Sequence, residues 1–291
     1  MILYLLSFLL INSVSSCRIL SMSGGGSHGA FEAGVVEHLV LQNNTWDVLA
    51  GVSAGSLNAA FISRYHSIYN ASQSLRDIWY KLDNSDVYKF KPNKLYILNS
   101  DPLRDTINRH LDYTVANKSL YPTLIGMTNI QNGNFHIENI ENKEDITDIL
   151  MSSSAIPVIF PPINYQDQLY IDGGTVSNEI ISQAIDYCLQ DGDQNITMDL
   201  ILTYNPYMKF NNLPPTNIVE YLEGVLKIIY NNYNDMTFKL LNNCKYSQKV
   251  ADVNLYYPDQ DIHVSLLDFR FGSELYQLGI NNFKQEKHLY C

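Results

Sequence analysis

Apolar and polar positions along the chain alternate between two periods, and the changeovers mark the elements. Arg18 to Ser23 is a short apolar run that ends at Gly24-Gly25-Gly26 and predicts a buried strand. Phe31, Val35 and Leu39 then recur at i, i+4 and i+8, which predicts one apolar face of a helix. Asn43-Asn44-Thr45 breaks that helix, and Trp46 to Ala50 predicts a second strand running into Gly51-Val52-Ser53-Ala54-Gly55. A helix from Ala54 through Ile62 follows. Residues 65–120 read as a polar, helical excursion over the sheet. Leu124 to Thr128 and Gly133 to Ile137 alternate like strands around an Asn/Gly turn. Ile146 to Ser154 predicts a helix, and a strand pair is expected around Gln166-Asp167-Gln168, ending at Asp172. Asp199 to Tyr204 and Asp261 to Phe269 are expected as late strands. Val219 to Cys244 and Ser273 to Lys284 are expected as helices. Strand, glycine loop, helix, strand, turn, helix is the order of an α/β fold, with a central, mostly parallel sheet flanked by helices.

Residues 1–16, MILYLLSFLLINSVSS, hold no charged side chain and form an apolar run too short to span a bilayer. The expectation is a secretory signal peptide over 1–16 and a single domain over 17–291. Four sequons, at Asn43, Asn70, Asn117 and Asn195, fit a glycoprotein that is secreted or lumenal. So do four cysteines, at 17, 188, 244 and 291, whose three possible pairings sequence leaves open. The net charge of −11, with no visible Lys/Arg run, argues against a nucleic-acid partner and against strong electrostatic capture by anionic lipid. Peripheral contact with a lipid surface would then rest on apolar contacts. No Cys/His cluster predicts a metal, and no cofactor is expected.

Three motifs carry chemistry. Gly51-x-Ser53-x-Gly55 places a serine at a tight strand-to-helix turn, where small neighbours tolerate strain and the hydroxyl stands clear. Gly24-Gly25-Gly26 lets backbone N–H groups converge on an anion. Asp172-Gly173-Gly174 puts a carboxyl group at a strand end. A dinucleotide reading of Gly24-x-Gly26-x-x-Gly29 competes, but it wants an acidic residue at the end of the second strand. The only candidate, Asp47, stands at the start of that strand.

These motifs resemble those of the patatin-like phospholipases. The resemblance extends to Gly24-Gly25-Gly26-Ser27-His28-Gly29, to Leu57-Asn58-Ala59-Ala60, and to Ser153-Ser154-Ala155-Ile156-Pro157 with Phe160-Pro161-Pro162. It implies the patatin-like three-layer fold and a dyad without a metal, acting on phospholipid or other acyl-lipid esters. In that dyad Ser53 is the nucleophile and Asp172 its general base, with Gly24, Gly25 and Gly26 forming the oxyanion hole. At an ordinary pKa of about 3.9, Asp172 would be ionised at neutral pH. The family commonly carries Lys or Arg where this chain has His28, and His28→Arg is expected to leave activity similar. Two alternatives remain: a carboxylesterase with a Ser-Asp-His triad using His263 or His288, and a lipid-binding or storage protein with little activity.

Overall fold

The computed structural model describes residues 16–290, except 113, 194, 208–213, 217, 219, 227 and 230–249. The expected leader falls almost wholly outside the described residues, as do Cys244, Cys291 and most of the helix expected over 219–244. From that last segment, 220–226 is described as helical.

A nine-stranded mixed sheet runs β11-β10-β9-β1-β2-β5-β8-β7, with β6 also paired to β5. Its parallel centre comprises β1 (Ser16–Met22), β2 (Val48–Val52), β5 (Thr123–Asn129), β9 (Asn195–Ile201) and β10 (Ala251–Pro258). The antiparallel members are β6 (Phe135–Asn139), β7 (Ile163–Tyr165), β8 (Gln168–Asp172) and β11 (Phe283–Tyr290). The central strands read as continuous apolar runs because both faces are covered. In β1, Leu20 and Met22 enter one core, while Cys17 and Ile19 enter the other.

The larger core lies under α1 (Gly29–Leu41), α2 (Ala54–Ile62), α3 (Ile68–Lys81) and the closing helix Gly272–Asn281. The smaller lies under α7 (Ser182–Gln190), whose Ala184, Ile185 and Cys188 face the sheet. Between these helices in sequence come α4 (Asn84–Val87), α5 (Asp101–Asp112) and α6 (Thr147–Ser153), with a small hairpin of β3 (Lys89–Phe90) and β4 (Leu98–Asn99).

Helix α1 departs from the one-faced helix its periodicity predicts: eleven of its thirteen residues are buried. The closing helix crosses it where each contributes a glycine. A Cβ on Gly34 would lie 2.2 Å from the Tyr276 carbonyl oxygen, and one on Gly279 2.0 Å from that of Phe31. The C-terminal expectations need correction. Asp261 to Phe269 is loop and a short 3₁₀ turn, while the strands are β10 and β11 on either side. The closing helix stops at Asn281, and Phe283–Tyr290 pairs antiparallel with β10. Strand β11 mixes polar with apolar residues, because it is the sheet's edge and has one face in water.

Two ties hold the sheet's centre away from the glycine loop. Asp199, fully buried on β9, accepts from Arg18 Nε at 2.8 Å, Trp46 Nε1 at 2.8 Å and Asn254 Nδ2 at 2.9 Å, so its charge is paired and its oxygens are satisfied. Cys17 on β1 is disulfide-bonded to Cys188 on α7, closing a separation of 171 residues. Loops of that length lose much unfolded-state entropy when cross-linked. Cys188→Ser is therefore expected to lower unfolding stability by about 2–4 kcal/mol, read as a lower midpoint in urea with non-reducing mass analysis confirming the bond in the parent.

Candidate active site

The site forms where two strands meet end to end. Strand β2 runs parallel to β5 and ends with Val52 opposite Gly126. Strand β8 runs antiparallel to β5 and ends with Asp172 opposite Met127. Strand β6 pairs with 124–128 along the other edge of β5, so β2 and β8 share one edge and point at each other. The residue after Val52 is Ser53, and its side chain reaches the Asp172 carboxyl closely enough to favour the charged form of that group. Residues 53 and 172 are thus brought together by register.

Ser53 sits at φ 51°, ψ −121°, a strained conformation for a residue with a side chain. The surroundings impose it. A Cβ on Gly51 would lie 2.3 Å from the Gly55 carbonyl oxygen, and one on Gly55 2.3 Å from that of Met22, so neither position admits a larger residue. The Ser53 amide donates to Ser153 Oγ at 2.9 Å, and Ser153 Oγ donates to the Gly126 carbonyl at 2.6 Å, tying the turn to α6 and β5. Ser56 Oγ donates to the Ser53 carbonyl at 2.6 Å.

Asp172 is 3 % exposed. Its Oδ1 accepts from the Gly174 amide at 2.8 Å, and its own amide donates to the Ala155 carbonyl at 2.9 Å. Gly173 opens the 3₁₀ turn that brings the Gly174 amide back to the carboxyl group. Burial pushes the Asp172 pKa up to about 7, against the opposing hydrogen bonds from Ser53 and Gly174. The expectation of an ordinary carboxylate is therefore corrected: desolvation makes Asp172 a stronger base that titrates near neutrality. Two other buried carboxyls lie nearby in the fold. Burial likewise raises Glu179 to about 7, with Tyr204 Oη donating to it at 2.5 Å. Burial raises Glu32 well above the usual carboxylate range.

The glycine loop passes directly against the serine. A Cβ on Gly24 would lie 3.0 Å from Ser53 Cβ and 2.5 Å from Asn178 Oδ1. The Gly24 amide donates to the Asn178 carbonyl at 3.3 Å, so this member of the expected oxyanion hole is already engaged. The Gly24 carbonyl accepts from Thr203 Oγ1 at 2.6 Å and Asn178 Nδ2 at 3.2 Å. The amides of Gly25 and Gly26 meet no acceptor among the described residues. Gly26, at φ 55°, also lines the cavity into which Ser53 opens. Beneath the loop, Glu32 contacts Ser23 Oγ at 3.4 Å and accepts from Asn58 Nδ2 at 3.2 Å, and Trp79 Nε1 donates to Asn58 Oδ1 at 2.9 Å.

That cavity is apolar. Ala54, Leu57, Phe61, Leu75, Ile78, Trp79, Leu103, Ile107, Leu150, Ile156, Phe160 and Leu267 form most of its wall. The helical excursion over 65–120 therefore builds one side of the site.

Several expectations change. Gly29 meets Trp79 and Ala54, at 2.7 and 2.9 Å from an added Cβ, so it serves helix packing. Asp47 accepts from the Arg18 amide at 2.8 Å just before β2 begins, at the opposite end of that strand from the loop, which removes the dinucleotide reading. His28 is buried, and its Nε2–H donates to the Val264 carbonyl at 2.8 Å. A guanidinium there would have to shed its water, so His28→Arg is not a neutral change. His263 is exposed on a loop, and His288 lies on β11 with Nε2 3.3 Å from Glu286. No histidine among the described residues bonds to Ser53 or Asp172. Ser153 lay within the quoted Ser-Ser-Ala-Ile-Pro segment, without a role. Asn178, Thr203 and Glu32 carry no signal in sequence, since only the folded loop gives them partners.

Residues 20–185 match the patatin-like phospholipase family, and the chain belongs to it. It is 28% identical over 192 residues to the "Probable lipid hydrolase 463L" of Invertebrate iridescent virus 6, covering 58% of this chain and 64% of that protein. It is 23% identical over 307 residues to "Uncharacterized protein R571" of Acanthamoeba polyphaga mimivirus, covering 94% and 95%. The "Uncharacterized NTE family protein Mb2594" of Mycobacterium bovis is 24% identical over 216 residues, 67% of this chain but 32% of that one. VipD from Legionella pneumophila aligns with a TM-score of 0.40 at 9% identity, over 94% of this chain and 68% of that one.

The raised pKa of Asp172 has a sign for stability. The fold binds this proton more tightly than the unfolded chain, so stability falls as pH rises from about 4 to about 7 and is level above. Asp172→Asn removes that loss. The variant is expected to gain on wild type by up to about 4 kcal/mol at pH 8 and by nothing at pH 3, measured by urea unfolding at both. Glu179 titrates in the same window in both proteins and cancels in the comparison.

Proposed function

We propose that the protein hydrolyses carboxylic esters of phospholipids or lysophospholipids through a Ser53 acyl-enzyme, with Asp172 as general base. One observation carries this: the Ser53 side chain reaches the buried Asp172 carboxyl and also lines an apolar cavity that suits an acyl chain. In this mechanism Ser53 Oγ attacks the ester carbonyl as its proton passes to Asp172, giving a tetrahedral oxyanion. The amides of Gly25 and Gly26 are the donors available to that oxyanion. Collapse expels the alcohol, which takes the proton back from Asp172. Water, deprotonated by the same carboxylate, then attacks the acyl-enzyme and releases the fatty acid and Ser53. A base titrating near 7 suits neutral operation, since half is ionised and its proton affinity is far above that of an ordinary aspartate. The lipid-hydrolase name of the iridescent-virus relative supports the substrate class. No histidine among the described residues bonds to the pair, which favours the dyad over a Ser-Asp-His carboxylesterase.

A fluorophosphonate probe should label wild type and not Ser53→Ala. Asp172→Asn should lower kcat by at least about 10²-fold while leaving the fold intact. With Asp172 as the base, kcat/KM for a phospholipid should rise about tenfold per pH unit below pH 7 and level off above it. A wild-type profile already flat from pH 5 to 8, or labelling that survives in Ser53→Ala, would overturn the reading.

We further propose that the protein works in the secretory lumen or outside the cell. The Cys17–Cys188 bond suits an oxidising compartment, and all four sequon asparagines, Asn43, Asn70, Asn117 and Asn195, are exposed. Protein recovered from the secretory pathway should lose mass on treatment with peptide N-glycosidase; an unchanged mass would count against lumenal passage.

A further inference from the structure

We propose that the loop Lys89–Leu95, with the adjoining Val158, is a docking surface for an anionic lipid membrane. The proposal rests on the lipid-hydrolase reading of the cavity and adds the charge of the surface and the residues that meet it. Residues 89–95, Lys-Phe-Lys-Pro-Asn-Lys-Leu, form an unbroken exposed run. Phe90 is 77 % exposed and Leu95 69 %, and Val158 is 51 % exposed. Single exposed apolar residues need no explanation, but three joined on one hairpin and its neighbour form a patch.

The patch adjoins the cavity. The Ile97 amide donates to the Val158 carbonyl at 3.0 Å, and Leu98 to that of Ile159 at 2.9 Å, so the hairpin is bonded to segment 155–160. That segment supplies Ile156 and Phe160 to the cavity wall, and its Ala155 carbonyl holds the Asp172 amide. Val158 adopts φ 69°, an outlier for a β-branched residue, which keeps an apolar side chain in water beside the site.

Charge selects the partner. The chain carries −11 overall, yet three lysines crowd this loop. Lys89 is paired to Asp101 at 3.5 Å, whereas Lys91 and Lys94 make no ion pair among the described residues. At a Debye length of about 8 Å the distant acidic surface is screened and the local lysines dominate. Basic and apolar residues alternating on one exposed loop are the chemistry of an interfacial anchor. Phe90 and Leu95 enter the acyl boundary, and the ammonium groups reach the phosphates of anionic headgroups. The loop is pre-shaped, since Asn93 Oδ1 accepts from the amides of Leu95 at 2.7 Å and Tyr96 at 3.0 Å. The expectation that electrostatic capture is weak is revised here, because the lysines are interleaved with apolar residues and form no run.

The test uses the full chain carrying Ser53→Ala, so that vesicles stay intact, in flotation with phosphatidylcholine vesicles with and without phosphatidylserine. The protein should partition to the anionic vesicles and lose that preference as salt rises. Lys91→Gln/Lys94→Gln should weaken anionic partitioning by roughly 30-fold. Phe90→Ser/Leu95→Ser should weaken it as well, and it should leave the thermal midpoint unchanged. The same substitutions in the active chain should leave cleavage of a soluble short-chain ester at the wild-type rate. Equal binding to both vesicle types, or lysine variants that bind like the parent, would overturn the proposal. Loop-dependent binding by a chain that cleaves no ester would uphold docking and sink the catalytic reading instead.

Discussion

The structure depends on one strand, β5, serving two partners along one edge. Strand β2 pairs with its first part and β8 with its last, from opposite directions. Their ends abut, and the two residues delivered to the junction are Ser53 and Asp172. A one-residue slip of β8 would turn Asp172 to the other face of the sheet, since side chains alternate along a strand. Register is held by burial on both sides of this part of the sheet and by the Asp172 amide bonded to Ala155. The junction therefore needs no flexible hinge to form.

Placing a carboxyl group at such a junction has a cost in stability and a consequence in chemistry. Surrounded by strand ends and the glycine loop, Asp172 loses its water and is compensated only by the Gly174 amide and the nearby Ser53 side chain. Its proton affinity rises for that reason alone. The loop beside it is built differently. Gly24 is held from both sides by Asn178 and Thr203, while the next two amides meet no acceptor among the described residues. Unpaired N–H groups in a buried turn are uncommon, and they mark where an incoming oxygen anion would be stabilised.

Much of this was legible along the chain. The Gly-x-Ser-x-Gly spacing marks a tight turn between β2 and α2 because no side chain fits at Gly51 or Gly55. The Gln166-Asp167 pair marks the β7–β8 hairpin, where both residues take positive φ. Elsewhere the pattern misled. Helix α1 reads as one-faced, yet it is buried nearly all round, because Gly34 and Gly279 let the closing helix lie across it. The edge strand β11 is not legible, because polar residues on a half-solvated edge blur the period-two signal. The lysines at 89, 91 and 94 escape notice as a charge feature until the hairpin exposes them side by side.

The sequence by itself determined which residues can do chemistry and which turns can hold them, since those depend on side-chain size and backbone freedom within a few positions. It also determined the order of strands and helices that makes a parallel centre feasible. Only the tertiary structure decided how the Asp172 carboxyl meets the serine, because two separate long-range pairings along β5 bring together residues more than a hundred positions apart. It alone decided that Asp172 titrates near 7, because desolvation depends on everything packed around a group and leaves no mark in local sequence.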